Sequence, residues 1–143
     1  MLVDTHAHVQ FSGFKDEADA VMQRALGAGM IVINVGSQID TSTEAVKMLD
    51  KYPERVYAVV GLHPEHTYQH RVDEEESHFR SREEHFDYEE YKALAENLKV
   101  VGIGECGFDY FRFEEGSDIV KIKEQQREAF SQQIKLALEL DKA

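Results

Sequence analysis

The chain has 143 residues, 42% of them apolar and 31% charged, which favours one globular domain, and its apolar runs are too short to span a bilayer. A single cysteine excludes an internal disulfide, and because the N-terminus lacks the segments of a signal peptide, the sequence predicts a cytoplasmic protein. The formal net charge of −12 repels polyanions, so any nucleic-acid substrate requires bound cations or local basic groups.

Predicted strands and helices alternate along the chain, because the hydrophobic pattern changes repeatedly between the two periods. In chain order they are a strand over 1–9, a helix over 15–27, a strand over 30–36, a helix over 40–53, a strand over 55–64, a helix over 87–98, a strand over 99–110 and a helix over 121–140. About four such strand–helix units favour an α/β fold built from parallel βαβ units with right-handed crossovers.

Two of the predicted helices carry signals for their start or their buried face. Thr41 and Glu44 have the spacing of a capping box at the start of the second helix. In the last helix, the apolar side chains that share one stripe are Phe130, Ile134, Ala137 and Leu138. Such a stripe is typical of the buried face of a helix.

The first predicted strand contains a histidine pair, in the segment LVDTHAHVQF of residues 2–11. Asp4, His6 and His8 are spaced two apart, so they share one face near the carboxyl end of the strand, where α/β folds place their chemistry. Two imidazoles on one face can chelate a divalent cation without rearrangement of the backbone. A pair of hydrogen-bonded core histidines is the alternative, and with Asp4 beside the pair we favour metal ligation.

Glu105 lies at the end of the fourth predicted strand, after a largely apolar run. A carboxylate buried there needs a cation or a strong hydrogen-bond donor, because burial of an unpaired charge is costly. A carboxylate that bridges two divalent ions would account for this position. A structural salt bridge is the alternative.

These residues belong to motifs that resemble the TatD family of metal-dependent deoxyribonucleases, within the wider group of amidohydrolase-like barrels. The matching segments are DTHAH at 4–8, VGLHPE at 60–65, GIGECGFDYF at 102–111 and KEQQREAFSQQIKLALEL at 123–140, the last of which resembles the family's Q-x3-F-x2-Q-x-x-L-A helix. Glu65 departs from the pattern, since the family usually has histidine there. The motifs follow in family order over nearly the whole chain, and the resemblance implies a TIM-type (β/α)8 barrel.

The resemblance also implies a site for two divalent metal ions, which would be Mg²⁺, Mn²⁺ or Zn²⁺. By this similarity His6 and His8 bind one ion, and Glu105 is the catalytic carboxylate that bridges to the second. Such a pair of ions activates a water molecule and neutralises charge on a phosphoryl oxygen. The implied activity is therefore divalent-metal-dependent hydrolysis of phosphodiester bonds, most simply that of a deoxyribonuclease.

Further residues near the implied site would contact the substrate. By resemblance His63 lines the mouth and contacts a substrate phosphate, with Asp109 and Tyr110 beside it. The expected partner is DNA, at its 3′ or 5′ ends, or another phosphodiester, and no membrane. Two alternatives stay open: a metal-dependent hydrolase of carboxylic ester or amide bonds, and a non-catalytic barrel remnant that binds or assembles with a partner.

A (β/α)8 barrel requires eight strands and typically about 250 residues, whereas this chain supplies about four βα units. We therefore expect residues 1–143 to be the N-terminal half of a TatD-like barrel domain, as a truncated, split or excerpted chain whose own activity is left open. The remaining ligands of the family, two histidines and an aspartate, follow later strands. A half barrel would also leave two sheet edges unpaired, which favours self-association.

Residues 65–90 form a longer connection than the family's usual loop after the third strand, and they are rich in charge and histidine. We interpret them as a solvated insertion at the barrel mouth that shapes substrate access. Deletion of 66–86 is then expected to alter substrate preference while folding stays intact. His66 and His70 have the spacing of a helical metal pair, so a separate weak metal site is an alternative.

Overall fold

The computed structural model describes residues 2–69, 71–74, 77–80, 82–111 and 113–143. Its strands are β1 (Val3–Ala7), β2 (Ile31–Val35), β3 (Val56–Val60), β4 (Arg71–Glu74), β5 (Ser77–Arg80) and β6 (Val100–Ile103). Its helices are α1 (Ala18–Gly27), α2 (Ile39–Lys51), α3 (Tyr88–Ala95) and α4 (Ile119–Leu140), with 3₁₀ turns at Ser12–Phe14 and Pro64–Thr67. Within these described ranges, no helix has both the length and the apolar character that crossing a membrane demands.

Four strands form a parallel sheet in the order β1-β2-β3-β6, so that each strand pairs with the strand that precedes it in chain order within the sheet. A doubly wound sheet reverses its strand order at a switch point, whereas a barrel adds each new strand on the same side. Helices connect the successive strands of the sheet. The structure thereby confirms the predicted α/β class, with four βα units in the arrangement of half a TIM-type barrel.

The core lies between the parallel sheet and the helices that cover it. In β3, Val56, Ala58 and Val60 are fully buried and the two residues between them are partly buried. Ala45 and Leu49 of α2 pack into the same cluster. A β-branched strand covered on both faces is typical of parallel sheets, and it explains why this part of the sequence predicts a strand so clearly.

α4 packs on the core with a different face from the predicted one. Its buried residues are Ile122, Gln126, Ala129, Gln133 and Leu136. Ile134 and Leu138 of the predicted stripe are 44% and 78% exposed, so the prediction is wrong for them, and Phe130 and Ala137 are only partly buried. Counting apolar residues misplaces the face because two glutamines lie at its centre, where their amides bond to loop backbones.

The start of α2 also differs from the prediction. Thr41 is the third residue of the helix, and its hydroxyl oxygen accepts the backbone N–H groups of Ser37 and Gln38, each at 2.9 Å. The predicted Thr41–Glu44 capping box is therefore wrong. Thr41 is not the N-cap but the third helical residue, and its hydroxyl accepts N–H groups of the two residues that precede the helix. Glu44 instead pairs with Lys47 one turn further on.

The segment 65–90 is anchored at both ends rather than solvated throughout. Thr67 and Tyr68 are buried near its start, and Phe86 is buried near its end, where its ring stacks on Tyr91 of α3 with centroids 4.3 Å apart. Between these anchors, β4 and β5 pair as antiparallel strands. The interpretation as a solvated insertion is wrong for the two ends, because the charged composition hides the apolar residues that hold them.

Glu84 attaches the end of this segment to the N-terminus of α2. Its side chain is 11% exposed, and Oε1 accepts the N–H of Ile39 at 3.1 Å and the hydroxyl of Tyr91 at 2.6 Å. Burial raises the pKa of Glu84, and the hydrogen bonds from Tyr91 and Ile39 oppose that rise. Arg82 beside it pairs with Asp40 in the first turn of α2. A distant loop thus supplies a hydrogen-bond acceptor that caps this helix.

The carboxyl ends of β3 and β6 approach each other closely through glycine. A Cβ atom on Gly61 would lie 2.5 Å from the carbonyl carbon of Gly104 and 2.6 Å from Oε1 of Gln133. No other residue type permits this approach without movement of the backbone. The contact positions the two loops that carry His63 and Glu105.

Candidate metal centre

His6, His8 and Glu105 form a cluster of potential metal ligands at the carboxyl ends of β1 and β6. His6 lies in β1, His8 directly follows it, and Glu105 is two residues beyond the end of β6. One ligand atom from each of the three side chains lies within 4.8 Å of the others. The fold therefore brings together the three residues that the sequence predicts as ligands.

β1 and β6 are opposite edges of the four-stranded sheet, which would be about 14 Å apart if the sheet were flat. The backbone N–H of Glu105 donates to the carbonyl of Gly36, just beyond the end of β2, at 3.3 Å. The chain after β6 therefore crosses the end of β3 on its way toward β1. This crossing, together with the curvature of the sheet, brings the Glu105 carboxylate close to the histidines.

The separations between the donor atoms agree with shared ligation of a divalent ion. His6 Nε2 lies 3.2 Å from His8 Nε2 and 3.1 Å from Glu105 Oε1, and His8 Nε2 lies 3.9 Å from Glu105 Oε2. Ligands at about 2.0–2.1 Å from an ion are about 3.4 Å apart in tetrahedral geometry and about 2.9 Å apart in octahedral geometry. Two separations fall within this range and the third exceeds it by about half an ångström, so the residues present fit a divalent cation.

The His8 ring is held so that Nε2 faces the cluster. Its Nδ1 lies 2.7 Å from the carbonyl oxygen of Val35, and because a carbonyl only accepts, the proton of the neutral ring belongs on Nδ1. The lone pair of Nε2 is then directed at His6 and Glu105. Phe11 packs against the ring with centroids 4.4 Å apart. An imidazole fixed by a backbone carbonyl on its far side is the usual arrangement of a metal-binding histidine.

The two alternatives to a metal site agree less well with this geometry. Core histidines would be buried, but the side chains of His6 and His8 are 53% and 30% exposed. A structural salt bridge would give Glu105 a permanently charged partner, yet in the described parts of the chain its ion-pair partners are these two histidines. Asp4 does not join the cluster, because its carboxylate accepts the backbone N–H of His6 at 3.1 Å.

The predicted substrate-binding residues lie outside the three-residue cluster. His63 precedes the 3₁₀ turn, and its Nδ1 accepts a backbone N–H two residues further on at 3.2 Å. The carboxylate of Asp109 accepts the N–H of Phe111 at 2.9 Å. Tyr110 is 43% exposed, and the ammonium group of Lys123 lies 4.7 Å from its ring centroid. Contact of these residues with a substrate stays a prediction.

Two buried glutamines of α4 support the loops around the site, and the sequence analysis missed this role. Gln126 accepts the N–H of Asp109 and donates to its carbonyl, both at 3.0 Å, and it also donates to the carbonyl of Pro64 at 3.3 Å. Gln133 bonds in the same two-way manner to the backbone of Leu62, at 2.9 and 3.0 Å. The signal available in the sequence was their seven-residue spacing, which places both amides on one helix face.

The alternative metal pair His66–His70 lies only partly within the described residues. His70 lies outside the described residues. The ring of His66 packs edge-on toward that of His63, with centroids 6.0 Å apart. Metal binding by the His66–His70 pair therefore stays a prediction.

Comparisons with known proteins agree with the motifs and with the fold. A family model described as TatD related DNase matches residues 3–143. The chain is 32% identical over 142 residues to an uncharacterized metal-dependent hydrolase, YabD, of Bacillus subtilis, covering 99% of this chain and 48% of that protein. It is 30% identical over 140 residues to the 3′-5′ ssDNA/RNA exonuclease TatD of Salmonella typhimurium, covering 97% of this chain and 46% of that protein.

A solved structure shares the fold as well. The crystal structure of YJJV, a TatD homolog from Escherichia coli K12, superimposes with a TM-score of 0.68 at 27% sequence identity, covering 99% of this chain and 48% of that one. The chain thus spans about half the length of the curated relatives it matches. Since the family model covers nearly every residue, the chain belongs to the family of TatD-related DNases.

Proposed function

We propose that this chain is the N-terminal half of a divalent-metal-dependent hydrolase that cleaves phosphodiester bonds of single-stranded nucleic acid. Family membership supports the proposal, since relatives carry the names metal-dependent hydrolase and 3′-5′ ssDNA/RNA exonuclease. The observation that carries it is the meeting of His6, His8 and Glu105 at the carboxyl ends of two strands, within 4.8 Å of one another. Barrel enzymes place their chemistry at the carboxyl ends of the strands.

Each of the three side chains has a distinct part in the proposed site. His6 and His8 supply neutral nitrogen donors, and the contact with Val35 fixes which nitrogen of His8 is offered. Glu105 Oε1 lies 3.1 Å from His6 Nε2, so this oxygen would complete the ligand set of the ion that the two imidazoles share. Oε2 lies 3.9 Å from His8 Nε2 and would be available to a second ion. When bound, divalent ions would lower the pKa of a ligated water molecule and neutralise negative charge on the phosphoryl group.

The loop residues of the proposed site would hold the substrate rather than the ions. His63 and Asp109 lie on the loops after β3 and β6, and Gln126 ties both loops to α4. Loops fixed in this way can present an imidazole to a phosphate without first becoming ordered. A cationic centre also overcomes the repulsion that a chain of net charge −12 exerts on a polyanion.

The test is release of nucleotides from 3′- or 5′-labelled single-stranded DNA by this chain, in Mg²⁺, Mn²⁺ or Zn²⁺. We expect release that depends on the ion and that Glu105→Gln abolishes, while Glu54→Gln, an exposed carboxylate elsewhere, leaves it unchanged. Ion binding without any release would support the metal centre but reject hydrolysis by this chain, in favour of a non-catalytic barrel remnant. Release that Glu105→Gln does not change would reject the assignment of the site.

A carboxylic ester or amide substrate remains the second candidate, because the name of the Bacillus subtilis relative specifies metal-dependent hydrolysis without specifying the bond. Paired chromogenic substrates distinguish the two, one a phosphodiester and one a carboxylic ester of the same phenol. The proposed function predicts turnover of the phosphodiester. Turnover of the carboxylic ester alone would favour the second candidate.

We further propose that the chain self-associates through the β1 edge of its sheet. β1 is an edge strand of the described sheet, with Leu2 just before it 70% exposed and Val3 47% exposed. At the other edge, the backbone of Ala143 already pairs with β6, through Val101 and Ile103. Edge strands with apolar side chains favour pairing with a further strand.

A further inference from the structure

The loop that follows Glu105 carries three exposed aromatic side chains. Phe108 is 49% exposed, Tyr110 43% and Phe111 83%. Phe108 is three residues from Glu105, so their Cα atoms lie within about 11 Å of each other. Exposed aromatic side chains beside a candidate active site commonly mark a ligand-binding surface. We call these three residues the aromatic platform.

The aromatic platform is held in position by α4. The rings of Phe108 and Tyr110 stack with centroids 5.6 Å apart, and Phe108 packs edge-on against Phe130 at 5.2 Å. Between them, the backbone of Asp109 is fastened by both hydrogen bonds of Gln126. Because the N–H and the carbonyl of Asp109 are both hydrogen-bonded to α4, the rings on either side of Asp109 need little ordering before a ligand binds.

Charge beside the aromatic platform distinguishes between possible occupants. The ammonium group of Lys123 lies 4.7 Å from the ring centroid of Tyr110, so a cation accompanies the aromatic surface. A ligand that matches both features has a flat, weakly polar face and a nearby negative charge. An unpaired nucleobase with its phosphate has this combination, and single-strand binding sites commonly join aromatic rings with basic side chains.

We propose that the aromatic platform binds an unpaired base of a single-stranded nucleic acid whose phosphate lies at the His6–His8–Glu105 cluster, with the ring of Phe111, which is 83% exposed, as the stacking surface. This inference rests on the proposed function and names the part of the substrate that the site reads. Stacking requires bases that are free of a partner strand, so the platform favours single strands. It tolerates any base, because every base has a flat face.

The chain contains no tryptophan, so Phe111→Trp introduces a single indole fluorophore. In Mg²⁺, we expect a short phosphorothioate oligothymidylate, which resists hydrolysis, to quench this fluorescence in a saturable manner. An abasic oligomer with the same length and backbone should quench weakly. Phe111→Ala should weaken binding of the oligothymidylate about tenfold, measured by competition. Phe14→Trp and Phe14→Ala are the matched controls, because Phe14 is also an exposed aromatic, 40% accessible, on a different loop.

Equal binding of the two oligomers, or no saturable quenching by either, would overturn the proposal. A shift in self-association on Phe111→Ala without an effect on oligomer binding would also overturn it, since the surface would then be a protein interface. Failure of the proposed function gives a different result: Phe111→Trp still distinguishes bases from abasic sites, but the wild type releases no nucleotide with any ion. Conversely, equal hydrolysis of normal and abasic strands removes the platform and leaves the hydrolase intact.

Discussion

Gln126 shows how much of the site depends on a residue that touches no reacting group. Its side chain is completely buried, and within the described part of the chain it makes three hydrogen bonds, to backbone atoms of Asp109 and Pro64. The loops after β3 and β6 run side by side at the sheet's carboxyl end, and this amide bonds to both. The position of each loop is thus set by α4 as much as by its own sequence.

Replacing Gln126 with leucine should lower the free energy of unfolding by about 1–3 kcal/mol, because buried backbone groups lose their only side-chain partner among the described contacts. Urea unfolding measures the change. Gln132→Leu, on a partly buried neighbour, should change stability by less than about 0.5 kcal/mol. Equal stability of Gln126→Leu and wild type would mean that other contacts hold the loops.

The sequence predicts the ligand cluster more readily than its supports, for a physical reason. His6 and His8 show a period of two within a strand, and Glu105 ends an apolar run. Strand geometry alone therefore places all three at the carboxyl end of the sheet. Gln126 and Gln133 look like surface residues, because their burial depends on loop carbonyls and N–H groups far away in the chain. Only the folded structure reveals those partners.

At the scale of elements, α2 depends on a cap from a distant loop. Glu84 accepts the N–H of Ile39, although 45 residues separate the two. Burial raises the pKa of Glu84, so the folded chain binds its proton more tightly than the unfolded chain does. Protonated Glu84 therefore stabilises the fold relative to ionised Glu84. This stabilisation is greatest below the ordinary pKa of a glutamate and is lost as pH rises through the pKa of Glu84 in the folded chain.

Glu84→Gln tests this linkage, because glutamine keeps an acceptor for Ile39 and Tyr91 but does not titrate. The stability of wild type relative to Glu84→Gln should fall as pH rises from about 4 to about 7. Thermal or urea unfolding of both proteins across this range measures the difference. A relative stability that is flat, or that rises with pH, would contradict a raised pKa for Glu84.

The anchors of the 65–90 segment change what a deletion is expected to do. Removal of 66–86 would take away Thr67, Tyr68 and Phe86 from the core along with Glu84, so we now expect a loss of stability rather than intact folding. Removal of residues 71–80 alone, with a short glycine linker in their place, should leave the cooperative unfolding transition in place. Circular dichroism during thermal unfolding distinguishes the two variants. Equal tolerance of both deletions would show that the anchors contribute little.

Element positions could be predicted well where one physical signal dominates. β2 and β3 are apolar β-branched runs, and each was located to within a few residues. The face of α4 and the cap of α2 were mispredicted, because each is decided by polar contacts between elements. Ile134 has the right spacing for a core residue and is nonetheless 44% exposed.

At the scale of the whole molecule, the sheet order β1-β2-β3-β6 leaves β1 with a free edge among the described strands. Self-association through this edge predicts that Val3→Lys lowers the apparent mass in concentrated solution, since a charge on an edge strand opposes pairing. Light scattering after gel filtration measures the mass. Leu98→Lys is the control, because Leu98 is 93% exposed but lies in the turn before β6. A monomer in both wild type and Val3→Lys would reject the proposal.

The most direct test of the His6–His8–Glu105 metal centre is the ion content of the chain at equilibrium, measured by elemental analysis after dialysis against Mn²⁺ or Zn²⁺. The proposed metal centre predicts at least one ion per chain, and His8→Ala and Glu105→Gln should each greatly reduce this content. His85→Ala, the loss of a histidine whose side chain is 82% exposed, should leave the content unchanged. A wild type that retains no ion, or a Glu105→Gln variant that retains as much as the wild type, would contradict it.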